Sequence, residues 1–171
     1  MKPSVDILGD CKAFIQDLSS SYSSRSIGIS SLHHGMENLD KAVKEAVFAH
    51  ATSILNQKTC MEFEATGLDR MLMPNLNDPW VARYYEELIR EIASQDEAHS
   101  SNLLETLIVY VESDGDIRLT GQKLFQHGNT IRYRLEKIKK ILNIKESMDG
   151  FSQMYVLVRI HRMKEIMKPW G

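Results

Sequence analysis

Ile131, Leu135, Ile138 and Leu142 recur at spacings of four, three and four. On a helix turning about 100° per residue they form one narrow apolar stripe. A helix with so little apolar surface is held from one side only, and the rest of its circumference is left to water or to a ligand. The break Gln126-His127-Gly128 ahead of it is short. Before the break, Asp116 is placed to cap a short helix with Ile117, Gly121, Leu124 and Phe125 on one face. A glycine inside a helix costs about 1 kcal/mol relative to alanine, so Gly121 implies the close approach of a second helix. Asn129 reads as the cap of that second helix, which runs over about 129–142. Two short helices joined by a tight turn make a helix-turn-helix centred on residues 116–142.

The surface opposite the stripe carries Tyr133, Lys137 and Lys140, with Arg132 and Arg134 on its flanks. Residues 116–145 hold eight basic side chains against two acidic ones, a local charge of +6, whereas residues 1–100 hold nine against fifteen. The overall net charge of −2 hides this segregation, which points to a polyanion-binding region beside an acidic one that does not bind. A helix so built fits the major groove of B-DNA. His127, Thr130, Arg132 and Tyr133 are the expected groove-facing residues, with Arg132 suited to a bidentate contact to guanine, and Asn129 is counted with them as DNA-binding. Arg134, Lys137 and Lys140 are suited to phosphates. The competing reading for each lysine is a plain solvated side chain, and for Tyr133 packing inside the protein.

Upstream, the pattern changes. Val5, Leu8, Phe14, Ile15 and Leu18 suggest a helix ending in the serine-rich stretch 19–24. Ser26–Ser30 alternates with period two, and Cys60–Glu64 does so again, so both read as short strands. Between them Asn38 or Asp40 starts a long helix with Leu39, Ala42, Val43, Ala46, Val47, Ala49 and Ile54 as its stripe. Two strands separated by a helix make parallel neighbours but a poor sheet, so residues 1–65 read as part of an α/β domain. Residues 66–98 form a helical connector in which Asp78 caps and Pro79 opens a helix, with Ser94–Ser101 as a polar linker after it. From 99 onward the chain is helical: Asn102 and Glu105 resemble a capping box, and Ser113-Asp114-Gly115 is a stop. The last helix, about Gly150 to Lys168, is apolar on two sides. Residues 66–115 or a second subunit would cover it.

Other functions find little support. Two cysteines, Cys11 and Cys60, lack metal-ligand spacing, and adjacent His33 and His34 on an extended segment point to opposite faces. Neither a metal nor another cofactor is expected, and no set of nucleophile, base and orienting group can be assembled, so no catalytic residue is assigned. The longest apolar run mid-chain, Leu107–Val111, is too short to span a bilayer, and no secretion signal is present. A hydrophobic fraction of 43% with 26% charged residues argues for a globular protein. The expectation is a cytoplasmic protein without membrane contact.

Leu103-Leu104-Glu105-Thr106-Leu107 with Tyr110, and His127-Gly128-Asn129-Thr130-Ile131-Arg132-Tyr133-Arg134-Leu135-Glu136-Lys137-Ile138, resemble the C-terminal domain of the PucR/CdaR family. These are bacterial transcription regulators of purine catabolism and sugar-diacid use. Ser26–Ser31 and Leu39, Ala42, Glu45 and Ala46 resemble the second half of that family's degenerate GGDEF-like domain, although no Gly-Gly-Asp/Glu-Glu-Phe signature is present. The resemblance implies a mainly α protein: a C-terminal domain, 99–171, with a helix-turn-helix like that of the factor for inversion stimulation (Fis-like), after a partial GGDEF-like α/β segment. It implies a non-enzymatic, homodimeric regulator of double-stranded DNA, with the upstream sensory domain absent from this chain. Gly128 stands where the family carries arginine in His-Arg-Asn-Thr, which removes a DNA contact. The alternative is a truncated or decayed regulator that serves as a helical dimerisation module without reading DNA.

Overall fold

The computed structural model describes residues 14, 17, 26–99, 101–144 and 150–168. The fold is mainly α, and the chain divides into two compact units, Met1–Met73 and Pro74–Gly171. The helix expected from Val5 to Leu18 lies outside the described residues, apart from Phe14 and Asp17.

The first unit is a strand-helix-strand arrangement. Strand β1 (Ile27–Ile29) pairs in parallel with β2 (Cys60–Glu62), in the register Ile27 to Cys60, Gly28 to Met61 and Ile29 to Glu62. Helix α1 (Leu39–Leu55) makes the crossover between them. Its apolar stripe is only partly the buried face: Ala49 is buried, with Glu45, Ala51, Thr52 and Ser53, whereas Leu39, Val43 and Ile54 are exposed. Gly28 explains the difference. A Cβ there would collide with the carbonyl of Ala46 and the backbone of His50, so β1 lies directly on the helix and only small or hydrogen-bonded residues fit between. Buried Glu45 is satisfied by the backbone N–H of Ser31 at 3.0 Å, the Ser31 hydroxyl, and His33 Nε2 at 2.9 Å. Buried Thr52 donates to Asp69 Oδ2 at 2.9 Å, which ties α1 to the short helix α2 (Asp69–Leu72).

The second unit is all helical: α3 (Pro79–His99), α4 (Leu103–Val111), α5 (Ile117–Lys123), α6 (Gly128–Ile141) and α7 (Gly150–Met167). Asp78 caps α3, its Oδ1 accepting from Trp80 N at 2.9 Å and Val81 N at 3.3 Å, with Pro79 as the first helical residue. The polar stretch from Ser94 is not a linker, because α3 continues through it to His99. Within that stretch Asp96 secures the start of the next helix. Its carboxylate accepts from the backbone N–H groups of Leu103 and Leu104, at 2.6 and 3.0 Å. The capping box at Asn102 does not form. Asn102 sits in the left-handed region at φ 51°, and its side chain makes no cap.

One core holds these helices together. Ile92 of α3, Leu103, Leu107 and Val111 of α4, Ile131, Leu135 and Ile138 of α6, Leu142, and Met154, Leu157 and Val158 of α7 pack in one cluster. Leucines and isoleucines buried this completely are worth about 1.5–3 kcal/mol each. Ile160 and Met163 of α7 are buried as well, so one chain covers most of this helix's apolar surface without a second subunit. Tyr85 on α3 and His161 on α7 add a polar clasp, hydroxyl to Nδ1 at 2.8 Å. Among the described residues, no helix is long and apolar enough to cross a membrane.

Candidate nucleic-acid interface

Helix α5 starts where Asp116, extended at ψ 108°, accepts from Leu119 N at 2.9 Å. That N–H bond holds the Asp116 carboxyl below its usual pKa; slight desolvation of this exposed group opposes it, and Arg118 assists. The helix ends in a turn closed by Gln126 N on the Gly121 carbonyl at 2.9 Å. Gly121 is required here, though not for the expected reason. A Cβ would lie 2.7 Å from the Gln126 carbonyl oxygen and 3.8 Å from Ile131, so the turn's own backbone, more than the second helix, excludes a side chain. Phe125 does not share the inner face with Ile117 and Leu124. It holds φ 52° and is 94% exposed.

Helix α6 is capped by His127 and not by Asn129. His127 is extended, at φ −67° and ψ 144°, and its Nδ1 accepts from Asn129 N at 3.2 Å. The cap moves forward because the helix already begins at Gly128. Asn129 lies in the first turn and takes a hydrogen bond from Arg132 Nη1 at 2.9 Å. Ile131, Leu135 and Ile138 are buried against the core, as their spacing requires.

The remaining predicted site residues fall into three environments. Asn129, Arg132, Tyr133 and Lys140 are exposed on α6, beside half-buried Thr130. Lys137 lies with its ammonium 5.0 Å from the centre of the Tyr133 ring, a cation–π pair on the surface. Arg134 is half-buried and donates to Thr106 Oγ1 of α4 at 3.1 Å, so part of its guanidinium fixes α6 on its support. Glu136, the one carboxylate on the helix, pairs with Lys139 at 2.8 Å. Between α5 and the head of α6 lies an open depression of about 640 Å³, lined among others by Ile117, Arg118, Phe125, His127, Gly128 and Arg132. Arg118 and Phe125 are the residues here that pattern alone did not single out: Arg118 counts only as charge, and Phe125 reads as core.

A short helix, a tight turn and a longer helix with a cationic outer face, all seated on one core, define a helix-turn-helix domain. Residues 103–150 match the family model of the PucR C-terminal helix-turn-helix domain, and the segment is a helix-turn-helix of that type. The chain is 36% identical over 74 residues to an uncharacterized protein of Haemophilus influenzae, across 43% of this chain and 19% of that one. It is 29% identical over 84 residues to the DNA-binding transcriptional activator AdeR of Bacillus subtilis, across 48% of this chain and 20% of AdeR. With the purine catabolism regulatory protein of the same organism it shares 29% identity over 120 residues, 68% of this chain and 22% of that protein. The aligned part thus spans about a fifth of each of these relatives. No solved structure matches the chain.

Proposed function

We propose that this chain is a non-enzymatic transcription regulator of the PucR type that binds double-stranded DNA, with α6 in the major groove. The observation that carries this reading is the division of α6. Ile131, Leu135 and Ile138 are buried on the core, while Asn129, Arg132, Tyr133 and Lys140 stand exposed. Residues 116–145 supply the field, eight basic side chains to two acidic ones, that draws a polyanion to this face. Arg132 is assigned to base reading, His127, Asn129, Thr130 and Tyr133 to the groove, and Arg134, Lys137 and Lys140 to phosphates. The name of AdeR, a DNA-binding transcriptional activator, supports DNA binding, and that of the purine catabolism regulatory protein supports regulation. A homodimer with recognition helices about 34 Å apart would read a two-fold operator.

The test is fluorescence anisotropy on genomic fragments at two salt concentrations. Binding that falls steeply with salt supports the reading, because each phosphate contact releases counterions. Arg132→Ala should weaken chosen sequences more than random ones, and a uniform loss would remove Arg132 from base reading. The alternative, a dimerisation module that reads no DNA, is favoured by Gly128, which leaves the first position of α6 without a side chain. It requires that the folded chain show no binding even at low salt.

A further inference from the structure

Three features meet at the turn between α5 and α6. Phe125 is 94% exposed and holds φ 52°, a conformation that strains any bulky residue. Folding therefore gains nothing from the ring, yet the turn carries it in place of glycine. Beside it lies the depression of about 640 Å³, whose lining includes Arg118, His127 and Arg132 and no carboxylate. Gly128 keeps part of that depression open: a Cβ there would have only Arg132 Nη1 and Ile117 Cγ2 near it, at 3.8 and 3.9 Å.

An exposed aromatic ring at the rim of a largely apolar hollow edged by two arginines matches a ligand that is anionic overall and apolar at one point. Duplex DNA has this chemistry, since the C5-methyl of thymine is the apolar group displayed in the major groove. We propose that Phe125 is a specificity-determining residue whose ring packs on thymine methyl groups, with Arg118 holding a phosphate of the same strand across the depression. This rests on the DNA-binding reading above. It gives the chain a preference for thymine set by the turn, beyond what the side chains of α6 read.

The experiment uses the whole chain and duplexes that it selects from a random-sequence pool, each then remade with deoxyuridine in place of thymidine. Removing only the methyls should weaken wild-type binding about fourfold for each methyl buried. Phe125→Gly should bind the thymidine duplexes more weakly and no longer distinguish the two versions. It should melt no lower than wild type, because glycine adopts this φ freely, so lost affinity would not reflect unfolding. Equal wild-type affinity for both versions, or discrimination retained by Phe125→Gly, overturns the proposal. If the variant changes self-association and leaves discrimination intact, the ring belongs to a contact with a second copy and the proposal fails. Absence of wild-type binding to any duplex at low salt overturns the DNA reading itself, and this inference with it.

Discussion

The carboxylate of Asp96, in the last turns of α3, lies 2.6 Å from the backbone nitrogen of Leu103, the first residue of α4. With the second bond to Leu104, one side chain satisfies two of the N–H groups that a helix start leaves open. Asp96→Ala should therefore destabilise the helical unit by about 1–2 kcal/mol, the usual cost of a lost cap. Asn102→Gly should cost nothing or stabilise slightly, since Asn102 makes no side-chain cap and sits at φ 51°. Urea denaturation of both variants checks the pair; equal losses would return the cap to Asn102.

Gly121 and Gly128 lie seven positions apart and should respond oppositely to alanine. At Gly121 the new Cβ meets a backbone oxygen at 2.7 Å, so Gly121→Ala should cost about 1–3 kcal/mol as the turn is forced open. At Gly128 the nearest atoms are 3.8 Å away, so Gly128→Ala should stabilise by about 0.4–1 kcal/mol by restricting the unfolded chain. Gly128→Arg has room for its Cβ and adds a cation near Arg118 and Arg132. It should tighten DNA binding and steepen the slope of log K against log salt by about 0.9. Thermal melts and salt titrations read these outcomes.

Acid should loosen the helical unit through His161 on α7. Burial lowers the pKa of His161 below its ordinary 6.5; Glu165 opposes this, while Arg162 and Lys168 add to it. As pH falls through 6.5 the unfolded chain takes up this proton first. Stability is thus complete above 6.5, and declines below it until the folded-state pKa is passed. His161→Gln should flatten stability against pH in that window. Tyr85→Phe, which removes the hydroxyl 2.8 Å from His161 Nδ1, should lower stability above it by about 0.5–1.5 kcal/mol.

Glu45 governs a second, more acidic window in the strand-helix-strand unit. Burial pushes its pKa up, but the hydrogen bonds from Ser31 and His33 outweigh burial and leave it below 4.5. Its contribution is present above 4.5 and is lost as pH falls through the folded-state value. Glu45→Ala removes Oε2, the single oxygen that accepts from Ser31 and His33, and should cost about 1–3 kcal/mol. Hydrogen exchange at Ser31 would report the loss locally.

What the sequence revealed and what it hid divide along one physical line. Asp78 before Pro79 and Asp116 before Ile117 are legible because a cap acts within three residues of itself. The stripe of Ile131, Leu135 and Ile138 is legible because helical period alone decides which face is buried. Asp96 is hidden because it caps a helix other than its own, and Asn102 misleads because it has the local pattern of a cap without the backbone conformation. Phe125 reads as core by composition, yet a positive φ turns it outward, and only the closure of the turn at Gly121 reveals that. In α1 the large members Leu39, Val43 and Ile54 of the expected stripe lie exposed while Ala49 is buried, because the close approach of β1 at Gly28 selects small side chains over large ones.

The reach of the core beyond the family match limits how this domain could be moved between proteins. The match ends at residues 103 and 150, but Ile92 and Asp96 lie before it, and Met154, Leu157 and Val158 lie after it. A graft cut at the homology limits would leave the α4 amides uncapped and the inner faces of Leu107 and Ile138 wet. The compact unit that holds this core runs from Pro74 onward, past both limits of the match. Kinship is thus recognisable over a shorter stretch than the one that must fold together.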